Sequence, residues 1–169
     1  MNTTSASKDK GGAPLVVLRE AGAEAAETLA ALHARIFGDK AWDADAICQL
    51  FGVEGTEAML AEVGDEPVGL IIHRMLWGDG EILTLGVAPE HRRRGIGSRL
   101  LATALNSMVM QGVNRVFLEV AVNNEAAIAM YESMGFDRLG RRPGYYLVEN
   151  GRKVDALMMV RIFGVGCGG

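Results

Sequence analysis

Residues 81–101, "EILTLGVAPEHRRRGIGSRLL", hold the pattern that decides the fold. Glu81 to Val87 form an apolar run of strand length, and Ala88 to Glu90 turn the chain. Beyond the turn, Leu101, Leu105, Met108 and Val109 recur at helical spacing through "SRLLATALNSMVMQG" (98–112). Between strand and helix stand Arg92, Arg93 and Arg94, then Gly95, Ile96 and Gly97, with Arg99 in the first helical turn. A glycine has no Cβ, so the backbone can bend sharply there and approach a ligand closely. The first amides of a helix lack intrahelical partners, and the helix dipole makes that end positive. Strand, basic glycine turn and helix start together describe a phosphate site, where Ser98 can cap the helix or touch the anion.

A P-loop requires GxxxxGK followed by Ser or Thr, and no lysine stands here. A dinucleotide fingerprint requires GxGxxG. The stretch "GIGSRL" (95–100) lacks the third glycine, and no early strand–helix unit carries an acidic residue at the right distance. What remains is a basic-x-x-Gly-x-Gly turn. Taken alone it also fits an ordinary helix start with solvated arginines, so its surroundings carry the decision.

Upstream, "PLVVLRE" (14–20) reads as a first strand. "AEAAETLAALHARIFG" (23–38) reads as a helix with Leu29, Leu32, Ile36 and Phe37 at helical spacing. "WDADAICQLFG" (42–52) reads as a second helix, capped by Asp43 and carrying Ile47, Leu50 and Phe51 on its apolar stripe. "AMLAEV" (58–63), "VGLIIHRML" (68–76) and "GEILTLGV" (80–87) are strand-length runs separated by "GDEP" and "WGDG", turn chemistry that implies an antiparallel meander. Downstream come a strand, "VNRVFLEVAV" (113–122), and a helix, "NEAAIAMYESMGF" (124–136), ending near Gly135. "GYYLVENGRKVDALMMVRIF" (144–163) supplies two strands joined through Asn150-Gly151. The fold class is α/β: a mixed sheet built from an antiparallel meander, then strand–helix–strand–helix, then a C-terminal hairpin.

The chain has 169 residues, 49% hydrophobic and 22% charged, which suits one domain over 14–163. Residues 1–13 are polar and read as a disordered tail, and 164–169 as a flexible end. A net charge of -4 gives no basic footprint for direct nucleic-acid binding. Cys48 and Cys167 have no metal or redox spacing and read as free thiols in a reducing compartment. The polar start lacks a secretory signal, and no apolar run reaches the roughly 20 residues that span a bilayer, so the expected location is cytoplasmic, without membrane partners. His33, His73 and His91 are scattered without triad or metal spacing and read as structural or surface residues.

Two further residues carry chemistry. Glu119 lies in the apolar run "VFLEVAV" (116–122), where burial raises a carboxyl pKa toward the range of a general base. The same position also suits a strand-face carboxylate paired with a neighbour such as Arg115. Tyr131, in the following helix, suits either a general acid or core packing, and Asn124 suits the helix N-cap.

The stretches "ILTLGVAPEHRRRGIGSRLL" and "FLEVAVNNEAAIAMYESMGF", in this order and spacing, resemble the GNAT acyltransferases. The element order is similar over roughly 15–163, and the motifs are specific over 81–136. The resemblance implies acetyl-CoA as cosubstrate and no metal. It implies contacts to the pyrophosphate from Arg92, Arg93, Arg94, Gly95, Ile96, Gly97 and Ser98. It also implies pantetheine along the backbone of Leu85, Gly86 and Val87, and CoA contacts from Asn124 and Tyr131. Within that family, the glutamate of "LEV", the later asparagine and "AAIAMYESMGF" resemble the ribosomal-protein-alanine N-acetyltransferases, as do "RRPGYY" (141–146) and "GRKVDALMM" (151–159). This implies Glu119 as base, Tyr131 as acid, and a peptide N-terminus, that of a ribosomal protein, held near Trp42, Arg142, Tyr145 and Tyr146. Three stretches depart from that pattern: Ala41-Trp42 stands for the usual Pro-Trp, Pro143-Gly144 lengthens the segment before the tyrosines, and "LTLGV" replaces "NIAV"-type wording. A GNAT acting on a small amine, antibiotic or lysine, or an acetyl-CoA-binding regulatory module, remain the rival readings.

Overall fold

The computed structural model describes residues 14–147 and 149–164. β1 (Val16–Ala21) leads through a 3-10 turn into α1 (Ala26–Phe37) and α2 (Ala44–Phe51). The meander follows as β2 (Thr56–Val63), β3 (Glu66–Leu76) and β4 (Asp79–Val87). After the basic turn come α3 (Ile96–Met110), β5 (Arg115–Ala121), α4 (Glu125–Ser133), β6 (Asp137–Leu147) and β7 (Lys153–Ile162). The seven strands form one sheet in the order β1-β2-β3-β4-β5-β7-β6. Neighbours are antiparallel except β4 and β5, which run parallel.

Local chemistry explains the boundaries. Trp77 and Gly78 have φ of 50° and 84°, the left-handed pair that a tight hairpin between β3 and β4 requires. Asn150 and Gly151 do the same before β7, at 72° and 70°. The Asp43 carboxylate accepts the Ala46 N–H at 2.8 Å, and the Asn124 side chain accepts that of Ala127 at 3.3 Å, so both expected caps form. α4 stops where Gly135 turns left-handed and the Phe136 N–H bonds back to the Tyr131 carbonyl.

The sheet divides the core in two, following the period of two along its strands. Ile71 on β3 meets Leu100, Leu101, Leu105 and Met108 of α3, with Val116, Leu118 and Met159 on the same face. Leu70 and Ile72 point the other way, toward Leu29 and Leu32 of α1 and Ile47 of α2. Each fully buried aliphatic side chain contributes about 1.5–3 kcal/mol. The α3 stripe differs from expectation at one place: Val109 is 40% exposed, and Leu100 and Ala104 complete the buried face instead.

Two features of the C-terminal half differ from the sequence reading. β6 begins at Asp137, directly after α4, rather than at Gly144; its first half, "DRLGRRP", is exposed because it forms the sheet edge. β7 then inserts between β5 and β6. The expected tail over 1–13, Cys167 and all of the flexible end but Gly164 lie outside the described residues, and Cys48 is a free, exposed thiol. No described helix is long and apolar enough to cross a membrane.

Candidate active site

β4 and β5 are paired only over Asp79–Glu81 and Arg115–Phe117. Beyond that, β4 bonds to β3 alone and β5 to β7 alone, so the two central strands part into a cleft toward their C-terminal ends. A bulge starts the divergence: Thr84 pairs with Ile72 and Ile82 with His73, leaving Leu83 unpaired. A bulge bends its strand and sharpens the local twist. On the open side, half of the backbone donors and acceptors of Leu83–Val87 have no strand partner, an edge that an extended ligand can pair with.

Gly86 has a role that the sequence did not reveal. A Cβ there would stand 2.7 Å from Ile36 Cγ2 and 2.9 Å from Phe37 Cζ, so only glycine lets α1 close on β4. Gly86→Val is expected to destabilise the fold by about 1–3 kcal/mol, read as a lower urea midpoint with an unchanged slope.

The basic turn follows. Arg92 donates from Nε to the Val87 carbonyl at 3.0 Å, tying the turn to the end of β4. Arg93 and Gly95 have φ of 62° and 76°, a left-handed alternation that turns successive N–H groups into one concavity. α3 opens at Gly95 with no side-chain cap, and its first intrahelical bond is Arg99 N–H to Gly95 carbonyl at 3.0 Å. The amides of Ile96, Gly97 and Ser98 thus stand free at the positive helix end. Ile96 is buried and anchors the turn, whereas Arg92, Arg93 and Arg94 are exposed. Arg99 points elsewhere, donating to the Val16 carbonyl on β1. Gly97 is less constrained than Gly95: a Cβ would sit 3.5 Å from Met130 Sδ, ordinary contact.

Glu119 lies across the cleft on β5, on the face opposite α3. Its carboxylate pairs through Oε1 with Arg142 Nη2 at 2.9 Å and is 24% exposed, so its surroundings are less apolar than the sequence implied. Arg115 is not its partner, because the parallel register sets Arg115 opposite Asp79, and the two form a bidentate pair. Arg142 reaches Glu119 from two strands away, with β7 between them; Arg142 is registered opposite Ala156 and Glu119 opposite Met158. The Arg142 guanidinium stacks over Tyr145 at 5.0 Å, and Tyr145 meets Tyr146 edge-to-face. The Tyr146 hydroxyl lies 3.5 Å from the Glu119 backbone carbonyl. Three of the four expected acceptor contacts therefore gather at Glu119.

Tyr131 of α4 is buried against Phe136, edge-to-face with centroids 5.8 Å apart. Burial, aided by the neighbouring Tyr146, pushes its pKa up to about 12. Tyr146 is itself raised, first by burial and then by Glu119, so it is an electrostatic neighbour of both residues. Tyr131 thus keeps its proton throughout the neutral range. Asn124 is exposed and is used as the α4 cap.

Trp42 stands on the β4 side, in the α1–α2 connection. His33 stacks on it at 4.8 Å, accepts the Trp42 backbone N–H at Nδ1 and faces the Thr84 hydroxyl through Nε2. With Nδ1 accepting, Nε2 carries the proton and donates to Thr84. Burial lowers the His33 pKa to about 4, so the ring is neutral while it holds this corner. A folded-state pKa below the ordinary 6.5 means that the stabilisation is full above pH 6.5 and is lost as pH falls toward 4. His33→Phe keeps the stacking but loses both hydrogen bonds. Melting temperatures measured from pH 7 to pH 4 should fall less steeply for this variant than for the wild type.

A divided parallel strand pair beside an uncapped, glycine-spaced helix start defines an acetyltransferase of the GNAT type. The chain belongs to the acetyltransferase (GNAT) family, which matches it over residues 24–136. It is 40% identical over 105 residues to N-alpha-acetyltransferase 30 of Xenopus laevis, covering 59% of this chain and 37% of that protein. It is 35% identical over 88 residues to the [ribosomal protein bS18]-alanine N-acetyltransferase of Escherichia coli K12, covering 52% of this chain and 59% of that one. The matches thus span less than two thirds of these relatives' lengths. Among solved structures, the fold is similar to the ribosomal-protein-S18-alanine N-acetyltransferase from Escherichia coli, with TM-score 0.84, 22% identity, and coverage of 91% and 98%. It is also similar to Arabidopsis thaliana NAA60 in complex with acetyl-CoA, with TM-score 0.75, 22% identity, and coverage of 88% and 99%.

Proposed function

We propose that this protein transfers the acetyl group of acetyl-CoA to the N-terminal α-amine of a protein, and that the acceptor is an alanine-starting ribosomal protein. The observation that carries the reading is the grouping of Glu119, Arg142 and Tyr146 at the mouth of the cleft where β4 and β5 part. The free amides at the start of α3 and the left-handed turn before it fit a pyrophosphate, with Arg92, Arg93 and Arg94 adding charge. The unpaired edge of Leu85, Gly86 and Val87 fits the amide-bearing pantetheine arm.

An α-amine has a pKa near ~8 and is largely protonated at neutral pH. Arg142 occupies Oε1 of Glu119, and Oε2 takes the proton. The freed nitrogen attacks the thioester carbonyl, so a C–N bond forms as the C–S bond breaks. Tyr131 gives its proton to the departing sulfur, the new amide nitrogen passes its surplus proton back to Tyr131, and Glu119 returns its own to solvent. Trp42 and His33 wall the β4 side, and Tyr145 and Tyr146 wall the other. The relatives that act on N-terminal amines support a peptide acceptor over a small amine.

The test is thiol release from acetyl-CoA against a panel of acceptors: peptides starting with Ala, Ser, Gly or Met, an internal-lysine peptide, spermidine and an aminoglycoside. The reading expects the Ala-starting peptide to be used best. Preference for lysine or small amines would sink the N-terminal assignment. Acetyl-CoA binding without turnover of any acceptor would favour a regulatory module.

A further inference from the structure

On the sheet face opposite α3, where β4 and β5 are still paired, a groove of about 480 Å³ runs from the β3–β4 turn to Glu119. Leu76, Trp77, Glu81, Phe117, Glu119 and Met158 line it. α1 and α2 pack on Leu60, Leu70 and Ile72 of this face, and the groove lies beyond them. Trp77 is 95% exposed and Leu76 51%, although an indole ring is among the side chains that gain most from being covered. Exposed apolar surface that runs into a binding cleft marks where a partner rests.

The carboxylates around the groove are not equivalent. Arg115 holds Asp79 in a bidentate pair, and Arg142 holds Glu119. Glu81 is exposed and forms no ion pair among the described residues. Arg74, its cross-strand neighbour and a further wall of the groove, donates instead from Nε to the Thr56 hydroxyl at 3.1 Å. On the other side Glu81 stands opposite Phe117. A solvated glutamate alone needs no ligand. Joined in one groove to an uncovered indole and to Glu119, this one suits a cation, held by charge and by the aromatic faces.

We propose that this groove holds the residues that follow the acceptor's N-terminal alanine, and that Glu81 and Trp77 select a lysine or arginine among them. This inference rests on the proposed function and adds two specificity-determining residues to it. Phe117 lies two residues back along β5 from Glu119, about 7 Å at the pitch of a strand. An extended acceptor whose α-amine reaches Glu119 therefore sets its second or third residue over Glu81 and Phe117. The ammonium or guanidinium of that residue meets the Glu81 carboxylate, and its aliphatic stem lies along the aromatic walls.

The test compares peptides that start with alanine and differ only at their second and third residues, which are lysine, glycine or glutamate. For the wild type, kcat/KM is expected to fall about three- to tenfold from lysine to glutamate, through KM rather than kcat. The gap should shrink at about 0.5 M NaCl. Glu81→Gln should remove most of the lysine preference and Glu81→Lys should invert it. Asp65→Lys, the same change of charge at the other end of β3, should leave it intact. Both positions are exposed, so these variants are expected to fold. Titration of the lysine peptide followed by Trp77 fluorescence, with Trp77→Phe as the blank, reads the groove without turnover. Indifference of the wild type to these residues, a preference for glutamate, or an unaltered lysine preference in Glu81→Lys would overturn the proposal. If no peptide is acetylated, the proposed function fails. A Trp77 signal specific to the lysine peptide and lost in Glu81→Lys would then still uphold the groove, and its absence would overturn it.

Discussion

Glu119→Gln is expected to lower turnover of an amine acceptor by about 10²–10⁴-fold, the contribution of a positioned general base. Acetyl-CoA affinity should change little, because the groups proposed to hold the cofactor are the α3 amides and the β4 edge. The variant should also fold normally. An amide oxygen can still accept from Arg142, and a solvent-accessible pair of this kind contributes within about 1 kcal/mol. Measuring kcat and the acetyl-CoA dissociation constant on the same preparation separates the two effects. Wild-type turnover in Glu119→Gln would remove the residue from the chemistry.

Tyr131→Phe should produce the second large loss, about 10²-fold or more in the chemical step, by removing the proton proposed to pass to the sulfur. The ring keeps its edge-to-face packing on Phe136, so the fold is expected to stay intact. The pH dependence distinguishes this residue further. Its pKa rises from 10 in the unfolded chain to about 12 in the folded one, so the folded state retains the proton longer. Stability from this group is therefore full below about pH 10 and declines as pH rises toward 12. Over that window the wild type should lose melting temperature relative to Tyr131→Phe. In the neutral range, a basic limb in the kcat profile should come from another group.

Elements carrying their own punctuation were legible from sequence. Asp43 and Asn124 announce helix starts, Gly135 announces a stop, and Asn150-Gly151 announces a hairpin, because each signal is fixed by neighbours along the chain. The strand, turn and helix over 81–110 were legible for the same reason. The first half of β6 was not: an exposed edge strand has no buried face to impose alternation on "DRLGRRP". The insertion of β7 is a long-range choice that local pattern does not encode.

The candidate site was legible residue by residue rather than as an arrangement. Glu119, Tyr131, Arg142 and Tyr146 could each be named as candidates, but the pairing of Glu119 with Arg142 depends on β7 lying between β5 and β6. The sequence offered Arg115 as one possible partner for Glu119, and the parallel register instead gives Arg115 to Asp79. Gly86 was named only for its backbone and His33 only as a structural or surface residue; that one lets α1 approach and the other bridges Trp42 to Thr84 depends on contacts across the fold. "HARIFGDKAW" (33–42) is the only trace of that bridge in the sequence.

The most direct measurement is tandem mass spectrometry of one peptide that carries both a free N-terminal alanine and an internal lysine, after incubation with the protein and acetyl-CoA. The proposed function predicts a single acetyl group on the α-amine and none on the lysine. Acetyl on the lysine alone, or an unmodified peptide while acetyl-CoA is bound, would contradict it.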